Sequence, residues 1–229
     1  MERILIGIDR DGTMLFDTGK YPGSKDHPLD KFELMPGVAE GIALLRGIPD
    51  ADVKLVMVTN QSGPARGKVD IAGVEQSNAR VKELLREKGV ALDGVYYCAH
   101  VPASYVASTK KKYGDAVFIN PDFVAECRDY KPHTGMIEKA AKDFWNVPPE
   151  KCLVYVIGDR VDADIEMARR AKGIGVFVPS DVKEHNNVRE AHAFAKENPG
   201  KVYVAKDFAD GAKWICADIA HRHMNNGRA

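Results

Sequence analysis

MERILIGIDRDGTMLF, Met1 to Phe16, carries an apolar run straight into two carboxylates, Asp9 and Asp11, with Gly12 directly behind them. Apolar residues on consecutive positions fit a strand buried on both faces of a parallel sheet. Ending such a strand on a pair of like charges makes sense at the carboxyl edge of an open α/β sheet, where ligands bind at a switch point in strand order. Outward from this stretch, apolar runs alternate with segments of helical period. RILIGID (3–9), VKLVMVT (53–59), VYYC (95–98), LVYVIGD (153–159), IGVFV (174–178) and KVYVA (201–205) read as strands. Pro36 to Gly47, Asp70 to Gly89, Thr134 to Trp145, Asp162 to Lys172, Asp181 to Asn198 and Phe208 to Met224 read as helices, several with Asp, Ser or Pro at the start and Gly at the end. The expected fold is α/β: a Rossmann-like three-layer sandwich with a mainly parallel sheet. Residues 14–35 and 101–126 read as loops too short to form a domain of their own. The whole chain, 1–229, is expected to be a single domain.

Composition narrows the partners. The chain has 229 residues, 45% hydrophobic and 29% charged, with 33 basic and 33 acidic side chains in exact balance of formal charge. Nothing in that balance favours a nucleic-acid phosphate track or an anionic membrane surface. No apolar run approaches the roughly 18 residues of a spanning helix, and the start lacks the pattern of a signal peptide. A cytoplasmic location is expected, with a small phosphorylated metabolite as partner and a monomer or small homo-oligomer as the assembly. Four cysteines, Cys98, Cys127, Cys152 and Cys216, are too few for a disulfide framework in a chain of this length. Cys152 and Cys216 lie in apolar surroundings and read as core.

Four strand ends or helix approaches carry chemistry. They are Asp9 with Asp11, the turn Thr59-Asn60-Gln61-Ser62-Gly63, Asp159, and Lys131 just ahead of a helix. If their strands are neighbours, three carboxylates, one ammonium and a hydroxyl-bearing turn converge. A cluster of acids calls for a hard cation with oxygen ligands, Mg²⁺ far more readily than zinc. A single Asp-x-Asp-Gly-Thr is readily explained as turn chemistry. The ordered set is not.

In that order DRDGT, VTNQSG, YKPHTGM and VIGDRVDAD resemble motifs one to four of the haloacid dehalogenase superfamily of phosphohydrolases, across residues 3–178. TNQSGPARGKV, LDGVYYCAH and KPHTGM are similar to its phosphatases of D-glycero-D-manno-heptose 1,7-bisphosphate. HPLDKFELMPGV and YVIGDR look equally like its histidinol-phosphate phosphatases. Both groups lack a large cap domain, and no cap-sized insertion is visible here. The resemblance implies a Mg²⁺-dependent phosphomonoesterase working through an aspartyl-phosphate. Asp9 would be the nucleophile and Asp11 the general acid and base. Asp9, the Asp11 main-chain carbonyl and Asp159 would hold the metal. Thr59, Asn60 and Lys131 would hold the transferring phosphoryl group, and Gln61, Ser62 and Arg160 would touch substrate. GDRVDADIEMA has one residue more than the usual spacing, which leaves Asp162 and Asp164 as candidates for the second acid of the fourth motif. The helical pattern beginning at DIEMA favours Asp164.

The resemblance also extends to a zinc loop, with Cys98, His100, Cys127 and Asp129 in the ligand positions. Asp129 stands where the family has a cysteine, and 26 residues separate His100 from Cys127. Tyr130 stands before Lys131 where an arginine is usual, so a second substrate phosphate would have to find its partner among Lys20, Arg66 and Lys110 to Lys112. His221 and His223 read as exposed residues near a helix end. Two other activities share parts of this pattern: a polynucleotide 3′-phosphatase, disfavoured by the neutral charge, and a phosphoacceptor signalling module, which would have no use for Asp11.

Overall fold

The computed structural model describes residues 1–180 and 187–226. Six strands, β1 (Glu2–Ile8), β2 (Ala51–Asn60), β3 (Gly94–Cys98), β4 (Leu153–Gly158), β5 (Ile174–Phe177) and β6 (Val202–Val204), form one sheet in the order β3-β2-β1-β4-β5-β6. Every pairing is parallel. The strand order reverses between β1 and β4, so the crevice of the fold opens beyond the carboxyl ends of these two strands. Chain after chain segment returns over the sheet through α1 (Val38–Arg46), α2 (Ile71–Glu87), α3 (Ala103–Tyr113), α4 (Gly135–Trp145), α5 (Glu166–Arg170), α6 (Val188–Glu197) and α7 (Phe208–Asn226).

Alternation along β1 splits the core into two layers. Ile4, Ile6 and Ile8 pack with Ile42 and Leu45 of α1, Val81 and Leu85 of α2, and Ile215 and Ile219 of α7. Leu5, with Val56, Val58, Val154 and Val156, meets Ile137 and Ala140 of α4 and Met167 of α5 on the other face. Burying each such side chain is worth about 1.5–3 kcal/mol, and the two layers together hold the tips of β1, β2 and β4 side by side. Asp70 closes the start of α2 by accepting a hydrogen bond from the Gly73 amide at 2.7 Å. No described helix is long and apolar enough to cross a membrane.

The α/β sandwich expected from the pattern is therefore the one found, and among the described residues no cap-sized element interrupts it. Three details differ. Residues 103–113, expected within a loop, form α3, whose one buried residue is Thr109. A helix that buries so little has no apolar stripe to betray it. The expected helix at 162–172 begins as a π-helical turn, Val161–Ile165, and continues as α5. One extra residue in a helix is what such a turn accommodates, and it absorbs the added residue of GDRVDAD. The expected helix from Asp181 to Asn198 falls partly outside the described residues, which show α6. Cys152 and Cys216 are half-buried rather than core, since each sits at the margin of a cluster.

Candidate active site

Asp9 follows β1 directly, and its amide bonds to the Ile157 carbonyl of β4 at 2.9 Å, which locks the two strand tips together. Its carboxylate pairs with the Lys131 ammonium. Lys131 reaches this point from the turn ahead of α4, and its Nζ also donates to Asp164 at 2.6 Å and to the Val58 carbonyl of β2 at 3.1 Å. The approach is fixed from the side by Asn60: the Lys131 amide donates to Asn60 Oδ1 at 2.9 Å, and Asn60 Nδ2 donates to the Lys131 carbonyl at 3.2 Å. The Asn60 side chain thus ties β2 to the lysine turn.

Asp9, Asp159 and Asp164 each offer a carboxylate oxygen within 4.8 Å of the others, all three being buried. Gly12 makes room for this approach. Its φ is +79°, and a Cβ there would run into the Asp159 carboxylate. Asp164 also accepts from the Arg160 amide at 3.1 Å, whereas the neighbouring Asp162 points outward and takes the Arg160 guanidinium at 2.8 and 3.1 Å. The π-helical turn is what separates the two acids.

Three ionised carboxylates and one ammonium leave two negative charges in a buried cluster. Burial pushes the Asp9 carboxyl up to about 7; Lys131 opposes this, and Asp164 and Asp11 reinforce it. The Asp164 carboxyl is raised by burial and by Asp159, against the pull of Lys131. For Lys131 burial alone would favour the neutral amine, but Asp164 and Asp9 outweigh it and hold the ammonium above its ordinary range. An all-oxygen donor set with two uncompensated charges fits a hard divalent cation, Mg²⁺ before any thiophilic metal.

The second acid of DRDGT sits in a different environment. Arg10 is fully buried, and its Nε and Nη2 donate to the two oxygens of Asp11 at 3.0 Å each. The same guanidinium donates to Asn78 Oδ1 of α2 at 2.7 Å and to Gln61 Oε1 at 2.6 Å. Gln61 Nε2 in turn donates to Asp11 Oδ2 at 2.9 Å and to Thr59 Oγ1 at 2.8 Å. Burial would raise the Asp11 carboxyl, but Arg10 and Gln61 hold it below the usual carboxylate range. The two acids of DRDGT thus have proton affinities driven apart, Asp9 up and Asp11 down, and a cation bound among Asp9, Asp159 and Asp164 would return Asp9 to the ionised form a nucleophile needs.

Asp9, Asp11, Thr59, Asn60, Gln61, Ser62, Lys131 and Arg160 all line one cleft of about 670 Å³, and the buried Asp159 and Asp164 meet Asp9 there. Gln61, expected to touch substrate, is buried and turned to Asp11 and Thr59. Arg10 and Asn78 were not foreseen. Their signal was present: an arginine between two acids at the end of a buried strand, and a polar residue at a position of α2 that faces the core with Val74, Val81 and Leu85.

The expected four-ligand zinc loop is only partly assembled. Cys98, His100 and Cys127 bring their donor atoms within 4.8 Å of one another. Asp129 does not join them, because its carboxylate is paired with Lys139 of α4. Burial and the bond to Cys127 push the Cys98 thiol up to about 12. Three donors fall one short of the closed set of a structural zinc site. His221 is exposed, while His223 is half-buried and meets Glu2 at 2.9 Å.

Comparison with known proteins agrees with the geometry. A family model described as HAD-hydrolase-like matches residues 130–211. The D-glycero-D-manno-heptose-1,7-bisphosphate 7-phosphatase of Thermosynechococcus vestitus is 30% identical over 223 residues, covering 97% of this chain and 100% of that protein. The D-glycero-beta-D-manno-heptose-1,7-bisphosphate 7-phosphatase of Escherichia coli K12 is 34% identical over 157 residues, 69% of each chain. The crystal structure of D,D-heptose 1,7-bisphosphate phosphatase from B. bronchiseptica, complexed with magnesium and phosphate, superposes with a TM-score of 0.67 at 26% identity, covering 95% of this chain and 99% of that one. The chain belongs to the haloacid dehalogenase-like hydrolases and is a phosphatase of that family.

Proposed function

We propose that this phosphatase removes a phosphate from a small phosphorylated sugar, D-glycero-D-manno-heptose 1,7-bisphosphate at its 7-position, through an aspartyl-phosphate on Asp9. The observation that carries the proposal is the meeting of Asp9, Asp159 and Asp164 around one lysine at the switch point of the sheet. The names of the relatives support the choice of sugar, and the magnesium and phosphate in the B. bronchiseptica structure support the metal.

Held by the Asp9 carboxylate, the Asp11 main-chain carbonyl and Asp159, Mg²⁺ would neutralise the repulsion between nucleophile and phosphate dianion. Asp9 attacks phosphorus as the bond to the sugar oxygen breaks, and that oxygen takes a proton from Asp11. Arg10 keeps Asp11 ionised in the free enzyme, and an arriving phosphate dianion opposes that charge, so that Asp11 takes up from solvent, as substrate binds, the proton it then delivers. Asp11 then takes a proton from water, which attacks the acyl-phosphate and frees Asp9 and inorganic phosphate. Lys131 and Thr59 hold the phosphoryl oxygens, with Asp164 aiming the lysine. The same reading takes the chain as one phosphohydrolase domain in the cytoplasm, consistent with four unpaired cysteines. The Cys98, His100 and Cys127 cluster lies outside this chemistry, and no step passes through it.

Phosphate release should be followed with Mg²⁺ on the heptose bisphosphate, histidinol phosphate and a 3′-phosphorylated oligonucleotide. The reading requires kcat/KM to be highest on the first by at least tenfold. Preference for either of the others would replace the substrate.

A further inference from the structure

Gln61 stands between the proton-handling acid of the site and the strand end that receives the phosphoryl group, and the two ends of its side chain are not interchangeable. It follows β2 two positions after Thr59, so both side chains leave the extended backbone on the same side. Its amide donates to the Cys98 carbonyl at the end of β3 at 2.7 Å, which pins the main chain, and the residue is buried.

At one end of the side chain, Oε1 accepts from Arg10 Nη2 at 2.6 Å. A guanidinium carries donors only, so the carbonyl oxygen must face it. At the other end, Nε2 donates to Asp11 Oδ2 at 2.9 Å, and an ionised carboxylate only accepts. The two partners dictate the same orientation of the amide from opposite sides. Arg10 is itself clamped, donating to Asn78 Oδ1 at 2.7 Å and to both oxygens of Asp11. A flipped Gln61 would set donor against donor and acceptor against acceptor.

The consequence falls on Thr59. Nε2 also donates to Thr59 Oγ1, at 2.8 Å. A hydroxyl that accepts on this side has its own proton directed away from Gln61. Thr59 lines the cleft with Asp9 and Lys131, where the acceptor awaiting that proton is an oxygen of the phosphoryl group. A hydroxyl without such a partner is free to turn a lone pair toward the same oxygen.

We infer that Gln61 is a positioning residue: locked by Arg10, it makes the Thr59 hydroxyl a fixed donor toward the transferring phosphoryl group while bracing Asp11 beside it. This rests on the reading above in which Thr59 holds a phosphoryl oxygen, and adds how that donor is oriented before substrate arrives.

A double-mutant cycle tests it, with inorganic phosphate and Mg²⁺ as the probe and calorimetry as the readout, so that neither turnover nor the identity of the sugar enters. Gln61→Glu keeps the shape and the acceptor for Arg10, but it has at most one proton where the amide has two, and its carboxylate draws the Thr59 proton to itself. Phosphate affinity should fall by at least about tenfold, the scale of a hydrogen bond to a charged group. The added charge contributes whatever stands at position 59, so the same substitution is made in the Thr59→Val background, where its penalty should be at least about fivefold smaller. Gln61→Met removes the partner of Arg10 without drawing away the Thr59 proton, and should weaken phosphate less than Gln61→Glu does. A role in packing alone would give the reverse order and equal penalties in the two backgrounds; either result would overturn the assignment. If Thr59→Val by itself leaves phosphate affinity unchanged, the phosphoryl-holding role of Thr59 fails and the inference with it. A loss in Thr59→Val with no coupling to Gln61 removes the inference alone.

Discussion

Arg10 grips both oxygens of Asp11 at 3.0 Å from a side chain with no solvent exposure. A buried guanidinium spends several kcal/mol in desolvation, which the bonds to Asp11, Asn78 and Gln61 must offset. The pair fixes the orientation of Asp11 and lowers its proton affinity. Replacing Arg10 by Met should therefore move the basic limb of the kcat/KM profile to higher pH, because Asp11 would keep the proton it delivers over a wider range. It should lower kcat by about 10²–10³, within the range of general acid–base contributions. It should also cost about 3–5 kcal/mol of stability, since Asp11, Asn78 Oδ1 and Gln61 Oε1 lose their donor. Arg10→Lys should recover part of the stability and little of the rate. Denaturant titration with a pH–rate profile on each variant checks both.

The two acids of the π-helical turn should behave oppositely. Asp164 is buried and bonded to Lys131, and Asp162 is exposed and bonded to Arg160. Asp164→Asn should reduce turnover by about two orders of magnitude, as expected when a charge-stabilising donor is misplaced, whereas Asp162→Asn should change stability by no more than about 0.5 kcal/mol. Steady-state kinetics on the pair distinguishes these outcomes.

Metal dependence should be visible without turnover. The folded-state pKa of Asp9 is raised from 3.8 to about 7 in the metal-free chain. A raised pKa contributes stability that is fully present below the unfolded value and is lost as pH rises through the folded one. The apo protein should therefore lose stability between about pH 4 and pH 7 as Asp9 is forced to ionise beside its neighbours. A divalent ion that binds only the ionised form should reverse this. The rise in Tm on adding Mg²⁺ should be larger at pH 7.5 than at pH 5, and differential scanning fluorimetry at the two pH values measures it.

Strand ends were the most legible part of the molecule. Asp9, Thr59 and Asp159 terminate apolar runs, and a parallel sheet has one edge where such residues can meet, so their convergence followed from the pattern. Helix α3 was hidden because Thr109 is its one buried residue, and a polar helix on a cleft wall leaves no periodicity to read. The inward turn of Gln61 was equally hidden. Its partners Arg10 and Asp11 are 51 and 50 residues away in the chain, and no local spacing records a contact made between the ends of β1 and β2. Asp129 shows the converse: its place near two cysteines and a histidine suits a ligand, but Lys139, ten residues on in α4, takes the carboxylate.

The central claim is that Asp9 itself carries the phosphoryl group. Acid-quenching the Asp11→Asn protein during turnover with Mg²⁺ and the heptose bisphosphate, followed by peptide mass spectrometry, tests this most directly, because loss of the base slows release of the acyl-phosphate. The account predicts a phosphoryl increment on the peptide containing Asp9, absent from Asp9→Asn. Phosphorylation of a different residue, or sustained turnover by Asp9→Asn, would contradict it.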